Sequence, residues 1–121
     1  MRFLTLLKTA ENPSLGAPPM ELMGELARLG EEAAKAGVLV DTGGLMPQTA
    51  HVKLAGGEIS TGNGAGATPI ASYAVYDVKD EKEVTEWASR FLGAHQQLWP
   101  GWEGEVEIRR VFGPEDFGPP Q

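Results

Sequence analysis

Hydrophobic positions repeat with two different periods along the chain, and the shorter period predicts strands. Short segments rich in apolar, β-branched or aromatic side chains are typical of strands, and such segments occur at residues 2–8, 38–44 and 70–78. Residues 105–112 alternate between apolar and charged side chains, which predicts a further strand with one face in the core. These segments are the candidate strands of a main sheet.

A second alternating segment, residues 49–61, predicts a β-hairpin. Gly56 and Gly57 divide it, and two adjacent glycines favour a two-residue turn because both can adopt positive φ. The alternation separates the first strand into two sides, with Ala50, Val52 and Leu54 on one and His51, Lys53 and Ala55 on the other.

The longer period predicts a first helix over residues 20–37. Its apolar side chains, Leu22, Leu26, Leu29 and Ala33, are spaced by three and four residues. Gly37 suits the left-handed position that follows the end of a helix. Gly24 and Gly30 each cost roughly 1 kcal/mol relative to alanine within a helix, so they are interpreted as points where another backbone packs closely.

A second helix is predicted to begin after Asp80, because Asp80 and Glu83 have the spacing of a capping box. Its apolar face consists of Val84, Trp87, Ala88, Phe91 and Leu92. Gly93 is predicted to end this helix, and residues 94–104 are predicted to form a loop that carries two tryptophans.

The order of elements is therefore strand, helix, hairpin region, strand, helix, strand. This order is that of an α+β fold, the ferredoxin-like split βαβ arrangement with an extra β-hairpin. One domain is expected over residues 1–113, with a C-terminal tail at 114–121 interpreted as a surface clamp, an exchanged arm or a disordered end. Because both helices cover the same face of such a sheet, the other face needs a partner, and a homodimer that packs two sheets together is predicted.

Composition and charge argue against several classes of partner and site but do not identify the function. The 121 residues carry a net charge of −7 and no cysteine. The negative charge argues against nucleic acid and anionic membranes as partners, and no segment approaches the roughly 20 apolar residues of a membrane helix. The absence of cysteine fits a cytoplasmic protein. Because the histidines lack the spacing of a metal site, no metal and no cofactor are expected.

The glycine-rich segment "TGNGAGA", residues 61–67, raises the question of phosphate binding. A phosphate loop lies between a strand and the first turn of a helix, where free amides meet the anion. Here Pro69 and a strand follow instead, and the glycine spacing does not match a dinucleotide fingerprint. The segment is interpreted as a connecting loop.

Three stretches, taken together and covering roughly residues 2–118, resemble the YCII-related, or DGPF, family. They are "AGVLVDTGGLMPQTAHVKLAGGEIS", "SYAVYDVKDEKEVTEWASRF" and "WPGWEGEVEIRRVFGPEDFG". The resemblance implies a dimeric α/β-barrel of ferredoxin-like subunits with a small ligand in a cleft near the sheet. It also implies a catalytic His–Asp pair in one branch and an association of some members with sigma factors.

The chain departs from that family at its signature. The Asp-Gly-Pro-Phe stretch of the family should fall near residues 60–66, where this sequence has "STGNGAG". The signature aspartate and phenylalanine are both missing. If that aspartate carries chemistry in the family, its loss favours a binding role here.

Candidate site residues follow from the predicted elements. Histidine is the side chain whose ordinary charge change lies near neutral pH, so His51 is the best candidate for proton transfer, with Asp41 as its predicted partner. Both also have simpler interpretations, as an exposed strand residue and as a turn residue. Tyr73, Gly44 and Pro47 are candidate ligand contacts.

Two other groups of side chains have quieter interpretations. His95 is interpreted as a cation that suits the C-terminus of the second helix. Trp99 and Trp102 are interpreted either as anchors of an interface or as a cover for the core edge.

Three functions stay open at this stage. The first is a homodimer that binds a small molecule without strong catalysis. The second is an enzyme that performs general acid–base chemistry on a small carbonyl or lactone compound through His51 and Asp41. The third is a regulatory interaction module associated with a sigma factor.

Overall fold

A computed structural model describes residues 1–10, 13–64 and 70–117. The strands are β1 (Arg2–Thr9), β2 (Leu39–Gly44), β3 (Thr49–Ala55), β4 (Glu58–Gly64), β5 (Ile70–Asp77) and β6 (Gly104–Arg110). The helices are α1 (Met20–Lys35) and α2 (Glu81–Leu98), and short 3-10 turns lie at Pro13–Leu15 and Pro114–Phe117.

Four strands form one antiparallel sheet in the order β2-β5-β1-β6. The first and last strands of the chain thus lie side by side, and each of the helices connects a central strand to an edge strand. This is the predicted ferredoxin-like α+β arrangement. The strands β3 and β4 form a separate two-stranded sheet, which is the predicted extra hairpin.

The register assigns the side chains of the main sheet to two faces. Phe3 pairs with Tyr76 and Thr5 pairs with Ala74, so these residues share the face that the helices cover. The buried residues Phe3, Val78 and Val84 form a core cluster on this side. On the opposite face, Leu4 and its neighbours have no covering layer among the described residues.

The hairpin turn has the predicted geometry. Gly56 and Gly57 have φ values of 60° and 80°, as a turn with two positive-φ positions requires. The hairpin nevertheless stands apart from the core, because every residue from His51 to Asn63 is exposed.

Helix α1 follows its prediction closely. Leu22, Leu29 and Ala33 are buried, and Gly37 has a φ of 76°, which ends the helix in the left-handed conformation. The expected close packing at Gly24 and Gly30 is wrong, because a Cβ at either position would meet no heavy atom within 4 Å.

Helix α2 begins as predicted and ends later than predicted. The Asp80 side chain accepts a hydrogen bond of 2.9 Å from the backbone N–H of Glu83. The helix passes through Gly93 and ends only at Leu98. It can do so because glycine costs a helix only about 1 kcal/mol, while its final turns pack against the residues that follow. Ala94 and His95 are buried within the added turns.

Two other boundaries differ from the sequence prediction. Strand β4 extends to Gly64, into the glycine-rich segment, and residues 65–69 lie outside the described part. The tail forms a 3-10 turn in which Asp116 accepts a hydrogen bond from the Gly113 N–H and pairs with Arg110 at 2.8 Å. Residues 118–121 lie outside the described part, so the predicted roles of the whole tail stay predictions.

Candidate functional site

A cavity of about 970 Å³ lies between the main sheet and the two helices. Its floor and walls include Thr5, Leu7 and Ala74 from the sheet, Leu26 and Gly30 from α1, and Phe91 and His95 from α2. Small-molecule sites usually enclose about 300–1,000 Å³ and are mostly apolar. The size and lining of this cavity therefore fit a small organic molecule.

Small residues keep this space open. Gly30 lies on the cavity side of α1, and a Cβ built there would meet nothing within 4 Å. Ala74 on β5 and Ala88 on α2 also line the cavity, where larger apolar residues would fill it. These small residues thus leave part of the volume between the sheet and the helices unfilled by side chains.

Aromatic side chains form one end of the cavity. The His95 ring lies 4.2 Å from the Trp102 ring and 4.9 Å from the Phe91 ring, measured between centroids. Trp99 and Trp102 lie nearly parallel, with centroids 6.3 Å apart. Together these side chains make an aromatic cluster where α2 turns into β6.

The position of Trp102 depends on Gly104. A Cβ at Gly104 would lie 2.3 Å from Trp102 Cη2 and 2.9 Å from the backbone oxygen of Lys8. Any side chain at this position therefore competes with the indole ring for the same space. The absence of a side chain at Gly104 lets Trp102 lie across the start of β6.

His95 is the polar residue most deeply placed in this cluster, with 4% of its surface exposed. Its Nδ1 lies 2.9 Å from the backbone oxygen of Phe91. Because a carbonyl oxygen can only accept, Nδ1 must carry the proton in this contact. In the neutral ring, Nε2 is then left with a lone pair.

The other inward-facing hydroxyl groups are largely used by the backbone. Thr5 Oγ1 donates to the backbone oxygen of Ala74 at 3.0 Å, and Thr42 Oγ1 donates to that of Tyr73 at 2.9 Å. Tyr76 also borders the cavity, and burial raises the pKa of its phenol. Thr9 and Ser72 also line the cavity, although apolar residues make up most of the lining.

The predicted pair His51 and Asp41 is not joined by any hydrogen bond found in the described part of the chain. His51 Nε2 lies 3.3 Å from Thr49 Oγ1 on the exposed hairpin. Asp41 Oδ2 accepts a hydrogen bond of 3.0 Å from the Tyr73 hydroxyl, and Oδ1 accepts one of 2.9 Å from the Thr42 N–H. A catalytic role for His51 and Asp41 stays a prediction.

The Tyr73–Asp41 contact is built into the sheet. Gly43 is the cross-strand partner of Tyr73, and a Cβ at Gly43 would lie 2.9 Å from Tyr73 Cε1. The ring can therefore lie over Gly43 and reach Asp41. The hydrogen bond to Asp41 is the main cause that raises the pKa of Tyr73, followed by the negative charge of Asp41.

The candidate ligand contacts lie in different places. Gly44 and Tyr73 border the cavity, although the Tyr73 side chain shares the open face of the sheet with Leu6 and its hydroxyl donates to Asp41 there. Pro47 is exposed in the connection between β2 and β3 and is not part of the cavity lining. Ligand binding by Gly44, Tyr73 and Pro47 stays a prediction. His95 was interpreted from the sequence as a cation at the end of the helix, and its place in the cavity lining was not predicted.

Two kinds of structure are not found. Within residues 1–10, 13–64 and 70–117, no three histidine or acidic side chains come together as a possible metal site. Neither α1 nor α2, the helices of the described part, is long and apolar enough to cross a membrane.

No family model and no curated protein matches the chain. Among solved structures, the chain is similar to SnoaB, described as a cofactor-independent oxygenase from Streptomyces nogalater, in a mutant form. The TM-score is 0.38 and the sequences are 13% identical, over 94% of this chain and 94% of that chain. Similarity at this level does not carry an activity from one protein to the other.

Proposed function

We propose that this protein binds a small, largely apolar molecule in the cavity between the main sheet and helices α1 and α2. The observation that carries the proposal is an apolar space of about 970 Å³. Apolar groups that line a space of this size lack packing contacts on one side. A bound molecule would supply those contacts.

The lining favours an uncharged ligand. The titratable residues that border the cavity are His95, Tyr73 and Tyr76, and no lysine, arginine, aspartate or glutamate borders it within the described residues. A charged molecule would lose its hydration without gaining an ionic partner, which is costly. A neutral apolar molecule avoids that cost.

The test compares two glycines of α1. Leucine at Gly30 would project into the cavity, whereas leucine at Gly24, which is exposed and lies outside the lining of this cavity, would not. Binding of 2-methylnaphthalene is measured by calorimetry for the wild type, Gly30→Leu and Gly24→Leu. We expect binding to the wild type and to Gly24→Leu, and at least a tenfold weaker affinity for Gly30→Leu. No binding to the wild type, or equal binding to all three proteins, would contradict the proposal.

We also propose that two copies pack through the open faces of their main sheets. One row across that face runs from Asp41 on β2 through Val75 and Leu4 to Arg109 on β6. The middle of the row is apolar, and its ends carry opposite charges. A two-fold axis through the row would bring Asp41 of each copy near Arg109 of the other, so the surface is complementary to itself.

Leu6 lies on the same face, as the cross-strand partner of Tyr73 and Glu107. We expect Leu6→Arg to convert a dimer into a monomer at micromolar concentration, measured by sedimentation equilibrium. Leu54→Arg, on the exposed hairpin, is the control and should leave the dimer intact. A monomeric wild type would refute the proposal, as would a dimer that only the hairpin substitution breaks.

The finer hypotheses stay predictions. Membership of the YCII-related family rests on the resemblance of the quoted stretches. An enzymatic reaction through His51 and Asp41 would require these residues to meet, and each has another hydrogen-bond partner. A role beside a sigma factor and a cytoplasmic location likewise rest on the sequence alone.

A further inference from the structure

We propose that His95 is the polar anchor of the cavity and that the ligand carries a neutral hydroxyl group, which donates a hydrogen bond to His95 Nε2. This inference deepens the binding function proposed above and depends on it. The chemical class is an apolar ring compound with one hydroxyl, that is, an alcohol, an enol or a phenol.

Nε2 of His95 faces open space inside the molecule. Within the described residues, no side-chain nitrogen or oxygen is both sealed from open space and without a hydrogen-bond partner. The ring of His95 has a partner at Nδ1, and none is found for Nε2 in the same part of the chain. Nε2 must therefore border open space. Because His95 is 4% exposed and lines the cavity, that space is the cavity.

The hydrogen bond at Nδ1 determines which role is left for Nε2. The 2.9 Å contact with the Phe91 oxygen uses Nδ1 as the donor. Nε2 of the neutral ring is consequently an acceptor. A ligand that pairs with it must bring a hydrogen to donate, which a hydroxyl does and an ether or an aldehyde does not.

Aromatic rings lie beside this acceptor. The His95 ring is held between Phe91 and Trp102, at centroid distances of 4.9 and 4.2 Å. These rings fix the orientation of the imidazole and present flat apolar surfaces beside it. A compound with a ring next to its hydroxyl can cover these surfaces while it donates to Nε2.

The experiment uses three probes of nearly equal shape: 2-naphthol, 2-methylnaphthalene and 2-methoxynaphthalene. The first can donate a hydrogen bond, the second has no oxygen, and the third has an oxygen that can only accept. Affinities of the first two probes are measured for the wild type and for three variants, His95→Phe, His95→Gln and Gln96→Ala. Their ratio in each protein cancels general changes in hydrophobic binding.

We expect the ratio that favours 2-naphthol to fall roughly tenfold in His95→Phe, which keeps a ring and lacks the acceptor. His95→Gln should restore part of the preference, because an amide oxygen can replace Nε2 as an acceptor. Gln96→Ala, at the exposed neighbouring position, should keep the wild-type ratio. In the wild type, 2-methoxynaphthalene should show no gain over 2-methylnaphthalene.

An unchanged ratio in His95→Phe would overturn the inference. A gain for 2-methoxynaphthalene in the wild type would also overturn it, because Nε2 would then be a donor. Failure of all three probes to bind the wild type would instead refute the binding function itself.

A measurement on the unaltered protein covers the case in which His95→Phe does not fold. The ¹⁵N resonance of His95 Nε2 should move when 2-naphthol is added and stay in place with 2-methylnaphthalene. A resonance that is unmoved by bound 2-naphthol would contradict the inference.

Discussion

The β3–β4 hairpin and the cavity place apolar side chains in opposite situations. Val52, Leu54 and Ile59 lie on one side of the hairpin and are 75%, 70% and 73% exposed. In the cavity, apolar side chains from the main sheet and the helices surround a space inside the fold. Both surfaces are apolar and are not covered by other side chains. Only the cavity is held by secondary structure on several sides.

This difference teaches how much each region contributes to folding. A two-stranded hairpin is marginally stable by itself, since it buries little apolar surface. The helices and main sheet bury Leu22 and Val84 almost completely, at 1% and 0% exposure. Substitutions in the hairpin and in the core should therefore differ strongly in their effects, even when the side chains are chemically the same.

The largest expected difference compares two leucines. Leu22→Ala should lower the free energy of unfolding by about 2–5 kcal/mol, because a fully buried side chain is removed and a cavity remains. Leu54→Ala should change it by no more than about 0.5 kcal/mol, because Leu54 is exposed. Urea unfolding of both variants measures the contrast. Equal losses would mean that the hairpin is packed in solution as firmly as the core.

A smaller loss of stability is expected from a substitution at Gly104, where Trp102 lies across the start of β6. Gly104→Ala should lower the free energy of unfolding by about 1–3 kcal/mol, since the added methyl group overlaps the indole ring and the Lys8 oxygen. Near-ultraviolet circular dichroism should report the altered aromatic cluster. Gly62→Ala in the hairpin is the matched control, because its Cβ would meet nothing within 4 Å, and it should leave the aromatic signal intact.

The two tyrosines predict that the stability of the folded state decreases at high pH. The chain has two tyrosines, and both have a raised pKa: Tyr73 chiefly through its hydrogen bond to Asp41, and Tyr76 through burial. A raised pKa means that the folded state holds the phenolic proton more tightly than the unfolded state, whose pKa is close to the ordinary value of about 10. This contribution to stability is complete below that pH and is lost as pH rises through the folded-state values.

Absorbance at 295 nm measures the phenol titration directly. The wild type should titrate above the ordinary pKa of free tyrosine, and Asp41→Asn should bring one of the two phenols back toward it. Asp80→Asn is the control, because the Asp80 side chain caps α2 through the Glu83 N–H and is not among the causes that raise the pKa of either phenol. An identical curve for Asp41→Asn and the wild type would show that the Tyr73–Asp41 contact does not persist in solution.

The smallest expected effect lies on α1. Gly24→Ala should raise the free energy of unfolding by about 0.5–1 kcal/mol, because alanine is the better helix former and a Cβ there meets nothing within 4 Å. Thermal unfolding monitored at 222 nm measures it. A loss of stability would mean that another surface packs closely on this exposed side of the helix.

Local patterns were sufficient to predict most of the fold. The hairpin turn at Gly56 and Gly57, the cap at Asp80 and the end of α1 near Gly37 each depend on a few neighbouring residues, and each is confirmed. The order of the elements then leaves few arrangements of the sheet. The exposure of the hairpin was not predictable in this way, because alternation indicates two faces without saying what covers them.

A cleft near the sheet was expected from the family resemblance, but its lining was not predicted, because that lining depends on residues that are distant in sequence. His95 had a recognisable signal nonetheless: Val84, Ala88, Phe91 and His95 are spaced by four, three and four residues, so they continue one face of α2. Ending the helix at Gly93 concealed this pattern. Weighing the cost of one helical glycine against the continuing apolar face would have placed His95 on the buried side.

The most direct test of the account is to locate a bound probe residue by residue. In ¹⁵N–¹H spectra of the protein, saturating 2-naphthol should shift the amides of Gly30, Ala74 and His95, which line the cavity. The amides of Val52 and Leu54 in the hairpin should not move. Shifts confined to the hairpin, or no shifts at all, would contradict the claim that the space between the sheet and the helices is the binding site.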